Sequence, residues 1–191
     1  MTLIPTLVTE RLILRGQRPS DTEPLTAAFA KDEFARFITR ERRGLTPEEA
    51  WRGLAVVAGS WLVSGYGQWI VEERATGAVV GRVGPWAPPG WPDFEIGWAI
   101  FPEFQGRGYA VEAAAASVVW AHEALGRDYV IHLIDPLNGP SERVAAALGA
   151  EVTGTWDSPL AHGAKIWTTR WGRFVATPAY QRHVAAAAAR P

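Results

Sequence analysis

Cysteine is absent from this chain, which excludes disulfides, a thiolate metal site and a cysteine nucleophile. No second histidine or carboxylate stands at metal-binding spacing from His132, so His132 reads as a strand residue and no metal is expected. Neither sign of charge prevails. The 19 basic and 20 acidic residues give a net charge of −1, and nothing global favours nucleic acid or a membrane surface as a partner. Long apolar runs are missing too, and the opening MTLIPTLVTERLILRG has neither a basic n-region nor a continuous apolar stretch, so a cytoplasmic protein is expected. There is no internal repeat and no linker rich enough to divide the chain. Residues 1–177 are therefore expected to form a single α+β domain, with 178–191 as an alanine-rich, frayed C-terminal tail.

What is present is a globular composition of 191 residues, 48% hydrophobic and 20% charged, enough to bury a core. Its most informative stretch runs from Phe94 to Ala116. Phe94, Ile96, Trp98 and Ile100 alternate with Glu95, Gly97 and Ala99, the period of a strand with two faces, so Glu95 holds a defined position. Gln105-Gly106-Arg107-Gly108-Tyr109-Ala110 follows, where Gly106 and Gly108 free the backbone to bend and a helix begins. The first turn of a helix presents unpaired N–H groups and about half a positive charge, a socket for an anion such as a pyrophosphate, with Arg107 near enough to add a full charge. The same residues are also compatible with a plain strand-to-helix connection. A dinucleotide fingerprint fits less well, because Val111 stands where its third glycine or alanine belongs.

Before this stretch, Arg11 to Arg15 reads as an opening strand and a helix follows from about Ser20 or Asp21. Arg36, Arg40, Arg42 and Arg43 mark either a solvated helix end or a rim that attracts an acidic acceptor. Thr46-Pro47-Glu48-Glu49 is a capped helix start, with Trp51, Leu54, Ala55, Ala58, Trp61 and Leu62 as the predicted apolar face. Gln68 to Glu73 and Ala78 to Val83 read as a hairpin, and Pro85 to Pro92, with Trp86 and Trp91, as a stiffened loop able to wall a site. After the glycine turn come a helix to Leu125, a strand from Tyr129 to Asp135, and a short helix opened by Asn138-Gly139-Pro140-Ser141, where Asn138 or Ser141 can serve as the N-cap. Two closing strands are predicted near Glu151 to Trp156 and Lys165 to Trp171.

The order FEIGWAIFP, then Gln-x-x-Gly-x-Ala at Gln105 to Ala110, then helix, YVIHLIDPLN, Asn138-x-x-Ser141 and LGA resembles the GNAT superfamily of N-acetyltransferases over roughly Thr9 to Arg170. TERLILR, GYGQWIVEE and the Asn-x-x-Ser…LGA ending are most similar to its Rim-type branch, which includes acetyltransferases of ribosomal-protein N-termini. The resemblance implies a mixed, mostly antiparallel twisted sheet with helices on both faces and a splay between the fourth and fifth strands after a bulge, for which Gly97 is the plausible site. It implies acetyl-CoA as cosubstrate, its pyrophosphate on the backbone of Gly106, Arg107, Gly108, Tyr109 and Ala110 behind Gln105. Trp98, Ala99 and Ile100 would pair with the pantetheine arm as an added strand, and Asn138 would bond that arm or the adjacent backbone. The resemblance implies that Glu95, whose strand position matches the branch's catalytic glutamate, is the general base, a structural ion pair being the competing reading. Glu142 to Leu148 lacks the tyrosine many GNAT enzymes use, and because Rim-type members can place a serine where Ser141 stands, the resemblance implies Ser141 as the acid for the departing thiolate. With no thiol to hold an acyl group, transfer to a primary amine would be direct, in a ternary complex. A non-catalytic acyl-CoA-binding module of the same fold and a dinucleotide-binding protein are the alternatives. A homodimer is left open.

Overall fold

The two-residue alternation around Glu95 does build a strand, and seven more pair beside it. The computed structural model describes residues 4–39, 42–158 and 161–189. Arg40 of the basic rim and the Arg190-Pro191 end of the tail lie outside the described residues. The strands are β1 (Leu7–Val8), β2 (Leu12–Arg15), β3 (Trp69–Glu73), β4 (Val79–Trp86), β5 (Glu95–Ile100), β6 (Tyr129–Ile134), β7 (Glu151–Ser158) and β8 (Ala161–Arg170). They form one sheet in the order β1-β2-β3-β4-β5-β6-β8-β7, antiparallel at every junction except β5–β6. The two-residue β1 moves the count by one, so the splayed pair expected as fourth and fifth is β5 and β6 here.

Successive strand residues face opposite sides, and this sorts the core. Leu12, Leu14, Val71, Val83, Ile96 and Ile100 pack against α4 (Tyr109–Leu125). Four successive alanines, Ala113 to Ala116, are buried on that helix. Their small side chains favour helix and let it lie close to the sheet. On the other face Ile70, Ala99 and Phe101 meet α1 (Thr22–Phe29), α2 (Asp32–Ala35) and α3 (Pro47–Ser64). Glu95 shares that second face, because its parity is that of Ala99 and Phe101.

The start of α3 is as the sequence suggests: Thr46 and Glu49 form a reciprocal capping box with Pro47 in the first turn, and Gly65 closes the helix at φ 75°. Its buried stripe differs. Ala50, Leu54, Val57 and Trp61 face inward, while Trp51 and Leu62 of the predicted face are 61% and 77% exposed. The helix is apolar nearly all round, so spacing alone does not choose the face. Trp61 does, by edge-to-face contact with Trp69 and Trp120 at centroid distances of 5.0 and 5.8 Å. Pro85 belongs to β4 rather than to the loop. It pairs with Ile96 beyond the last β3 partner of that strand, where a missing N–H breaks no ladder.

The tail also differs from the frayed reading. Pro178–Ala188 is a helix, capped by the Thr177 hydroxyl with Pro178 in its first turn. Ala179 is buried, and Tyr180 packs edge-on against Trp171 and Phe174 at 5.7 and 5.4 Å. Tyr180→Ala is expected to cost about 2 kcal/mol, lowering Tm in thermal unfolding by about 4 to 8 °C. An unchanged Tm would restore the frayed reading.

Candidate active site

The parallel junction between β5 and β6 holds at a single register, Glu95 opposite Ile131, where the Ile131 N–H donates to the Phe94 carbonyl at 3.0 Å. Two residues further along both strands, a parallel ladder would join the Leu133 N–H to the Ile96 carbonyl. Both groups are taken by side chains instead. The Leu133 N–H donates to Glu95 Oε1 at 3.2 Å, and His132 Nδ1 donates to the Ile96 carbonyl at 2.7 Å. A carbonyl can only accept, so Nδ1 carries the proton and Nε2 accepts from the Thr169 hydroxyl at 2.9 Å. Burial pulls His132 down to about 4, against a smaller opposing effect of the Ile96 bond, and the ring is neutral at ordinary pH.

The expected bulge at Gly97 is absent. The β4–β5 register runs unbroken through Gly84 opposite Gly97, and two side chains rather than an extra residue hold the wedge open.

Glu95 is 8% exposed. Trp91 Nε1 donates to its Oε2 at 2.7 Å, placing the proline-rich loop that follows β4 directly against the carboxyl. Burial raises Glu95 to about 7, because desolvation outweighs the Leu133 and Trp91 bonds that favour the charged form. A carboxyl so placed can hold or release a proton near neutrality. It lines a cavity of about 350 Å³ together with Gly97, Gln68, Arg82, Asn138 and Ser141.

Asn138 and Ser141 arrive through α5 (Gly139–Ala147). Asn138 Oδ1 accepts from the Ser141 N–H at 3.3 Å, so Asn138 is the N-cap. Ser141 Oγ accepts from Trp98 Nε1 at 3.2 Å, which leaves its own proton to point elsewhere. Along β5, the Phe101 N–H donates to Val80, so odd-numbered amides face β4 and even-numbered ones face the wedge. Ala99 therefore directs its amide into the sheet and its side chain to the cavity. Trp98 offers both N–H and carbonyl to the wedge, whereas the Ile100 carbonyl already accepts from Gln105 Nε2 at 2.9 Å.

At the glycine turn, Gly106 and Gly108 take φ of 75° and 81°, a left-handed conformation that favours glycine. A Cβ at Gly106 would meet nothing within 4 Å, so the bend is open to a ligand. Gly108 is the N-cap of α4. Among the described residues, the N–H groups of Gly106, Arg107 and Gly108 have no acceptor within the turn or its neighbours, and those of Tyr109 and Ala110 fall in the helix's first turn, which has no intrahelical acceptor. These five amides suit a pyrophosphate. The Tyr109 side chain is buried, its hydroxyl donating to Glu73. Arg107 is half exposed and donates to the Glu103 carbonyl at 3.1 Å.

Arg11 was not singled out by the sequence. It donates to the Arg107 carbonyl at 2.9 Å and pairs with Glu112 at 2.7 Å, tying the turn to α4. Gln68 and Arg82 were also missed. Only their parity on the hairpin strands hints that they face the same side as Glu95.

A turn of unpaired amides thus follows the strand whose edge is split from β6, and that split adjoins a cavity holding a titratable carboxyl. A family model described as "Acetyltransferase (GNAT) domain" matches residues 11–151, and the chain belongs to that family of acetyltransferases. An N-acetyltransferase of Bacillus subtilis (strain 168), YoaA, described as uncharacterized, is 29% identical over 153 residues, 80% of this chain and 86% of that protein. The solved acetyltransferase from Agrobacterium tumefaciens str. C58 is 28% identical, with a TM-score of 0.76 over 86% of this chain and 94% of that one. RimJ of Mycobacterium smegmatis, solved in complex with CoA-disulfide, shares the fold at 18% identity, with a TM-score of 0.71 over 96% of this chain and 93% of that one.

The Glu95 carboxyl generates a pH-dependent prediction. In an unfolded chain it titrates at about 4.3 and in the fold at about 7. The unfolded state therefore loses this proton first as pH rises, and the fold loses stability from about pH 4 until Glu95 itself ionises near 7. Relative to Glu95→Gln, the wild-type protein should lose roughly 3 kcal/mol between pH 4 and pH 8. Urea unfolding at both pH values checks it, and a constant difference would mean an unshifted carboxyl.

Proposed function

We propose that the protein transfers acetyl directly from acetyl-CoA to a primary amine, a protein N-terminus or a small amine, in a ternary complex of the Rim type. The observation that carries this reading is Glu95: a buried carboxyl raised to about 7 by desolvation, in the wall of a cavity that adjoins a split in the sheet. The RimJ neighbour, solved with CoA-disulfide, supports a coenzyme A ligand for a chain of this fold.

Each residue has a task in this reading. The amides of Gly106 to Ala110, with Arg107 beside them, hold the pyrophosphate. Trp98 lends its N–H and carbonyl to the amides of the pantetheine arm, as an added strand would, and Gln105 braces the strand through the Ile100 carbonyl. Asn138 aims the helix that carries Ser141, and its amide nitrogen remains to bond the arm. Acetyl-CoA supplies the activated thioester. An ammonium cannot attack it, so Glu95 takes the amine proton, directly or through one water. Ser141 gives its proton to the departing thiolate, its oxygen held by Trp98 Nε1.

Glu95→Gln should lower kcat by about 10² to 10³-fold, within the usual range for a general base, and should abolish a rise of kcat/KM through about pH 7. Released thiol with an acceptor amine provides the assay, and Ser141→Ala is expected to lower kcat more than it raises KM. Unchanged turnover in both variants would overturn these roles. Calorimetric binding of NAD with none of acetyl-CoA would overturn the ligand.

A further inference from the structure

Arg82 is a charge to which acetyl transfer by Glu95 and Ser141 gives no task. It lies half-buried on β4 in the wall of the Glu95 cavity, its guanidinium carbon 4.7 Å from the centre of the Phe29 ring. Among the described residues it has no hydrogen-bond or carboxylate partner, whereas Arg42 pairs with Asp135 and Glu95 is bonded by Trp91 and Leu133. Arg36, the other cation on this wall, is exposed to water and lies over the Phe37 ring. Burial pulls Arg82 down to about 10. It stays protonated at neutral pH, a cation largely out of water with no anion beside it, which is costly unless something supplies one.

The sheet register places this cation relative to the acid. Arg82 is opposite Ala99 and Trp86 is opposite Glu95, so Arg82 and Glu95 share a face and stand four residues apart along the strands, about 13 Å. Between them the floor is Gly97 and Ala99. A Cβ at Gly97 would lie 3.5 Å from Gln68 Nε2 and 3.7 Å from Glu95 Oε1, so the missing side chain keeps a trough open beside the carboxyl. At that same end Gln68 Oε1 is buried with no hydrogen-bond partner, an acceptor waiting for a donor. The pyrophosphate turn does not supply the anion for Arg82, because it heads α4 on the opposite face of the sheet.

We propose that the acceptor is a primary amine bearing a carboxylate, seated in this trough with its nitrogen between Glu95 and Gln68 and its carboxylate on the guanidinium of Arg82. The proposal rests on the acetyl-transfer reading and adds the substrate class. A planar guanidinium fits a carboxylate with two parallel bonds. The span excludes an α-amino acid, whose two charges share one carbon. It suits an amine whose carboxylate lies two to three residue lengths away, about 7 to 10 Å in extended chain.

The test uses the intact protein, acetyl-CoA and three acceptors: the tripeptide alanyl-alanyl-alanine with a free C-terminal carboxylate, its C-terminal amide, and its phosphonate analogue. In the wild type the carboxylate should exceed the amide in kcat/KM by about tenfold or more. In Arg82→Met that ratio should collapse to within about threefold, and Arg82→Lys, which keeps the charge but loses the planar fork, should fall between. Equal rates for carboxylate and amide in the wild type overturn the proposal even if a variant fails to fold. So does a ratio that survives Arg82→Met, and a phosphonate preferred over the carboxylate overturns the choice of anion. Equal transfer sinks only this proposal. Binding of acetyl-CoA with transfer to none of the three likewise overturns this proposal alone, whereas no binding of acetyl-CoA would bring down the acetyl-transfer reading, and this one with it.

Discussion

The site depends on a substitution of hydrogen-bond partners at one rung of the sheet. The Ile96 carbonyl and the Leu133 N–H would bond to each other if β5 and β6 paired on. His132 and Glu95 take their places. Leaving either backbone group buried and unpaired would cost about 1 to 3 kcal/mol, so an unsupported gap would tend to zip shut. With both satisfied from the side chains, the strands part at little net cost and the edge of β5 stays available from Trp98 onward.

That one device ties structure to chemistry. The carboxyl that props the wedge is also the group that burial tunes to about 7, so opening the cleft and poising the acid share a cause. His132 contributes in its neutral form. Its ring is locked between Ile96 and Thr169, and as a cation it would lose the bond accepted at Nε2. Trp91 completes the arrangement by bringing the proline-rich loop onto Glu95. The cavity is consequently formed by the same contacts that hold the sheet apart.

Much of this was legible in the chain itself. Strict alternation in Phe94 to Ile100 assigned β5 and put Glu95 on one face, and the glycines at 106 and 108 announced a bend whose left-handed φ values the structure bears out. The capping box at Thr46 and the stop at Gly126 were read from residue types whose preferences are local. The sequence was less informative where several apolar residues competed. On α3, Trp51 and Trp61 looked alike, and packing with Trp69 and Trp120 decided between them. In the alanine-rich tail, weak individual residues concealed a helix that Tyr180 anchors by contacts with Trp171 and Phe174.

Local patterns thus determined most of the elements, their order, the glycine turn and the face of the strand on which Glu95 stands, because a period, a cap or a positive φ is set by residues a few positions apart. Only the tertiary structure decided that the cleft is wedged by side chains and not by a bulge at Gly97, that Arg11 braces the turn, that Gln68 and Trp91 meet at Glu95, and that Arg82 lines the same cavity. Those relations join residues far apart in sequence, through strand register and burial. Register and burial exist only once the sheet has formed.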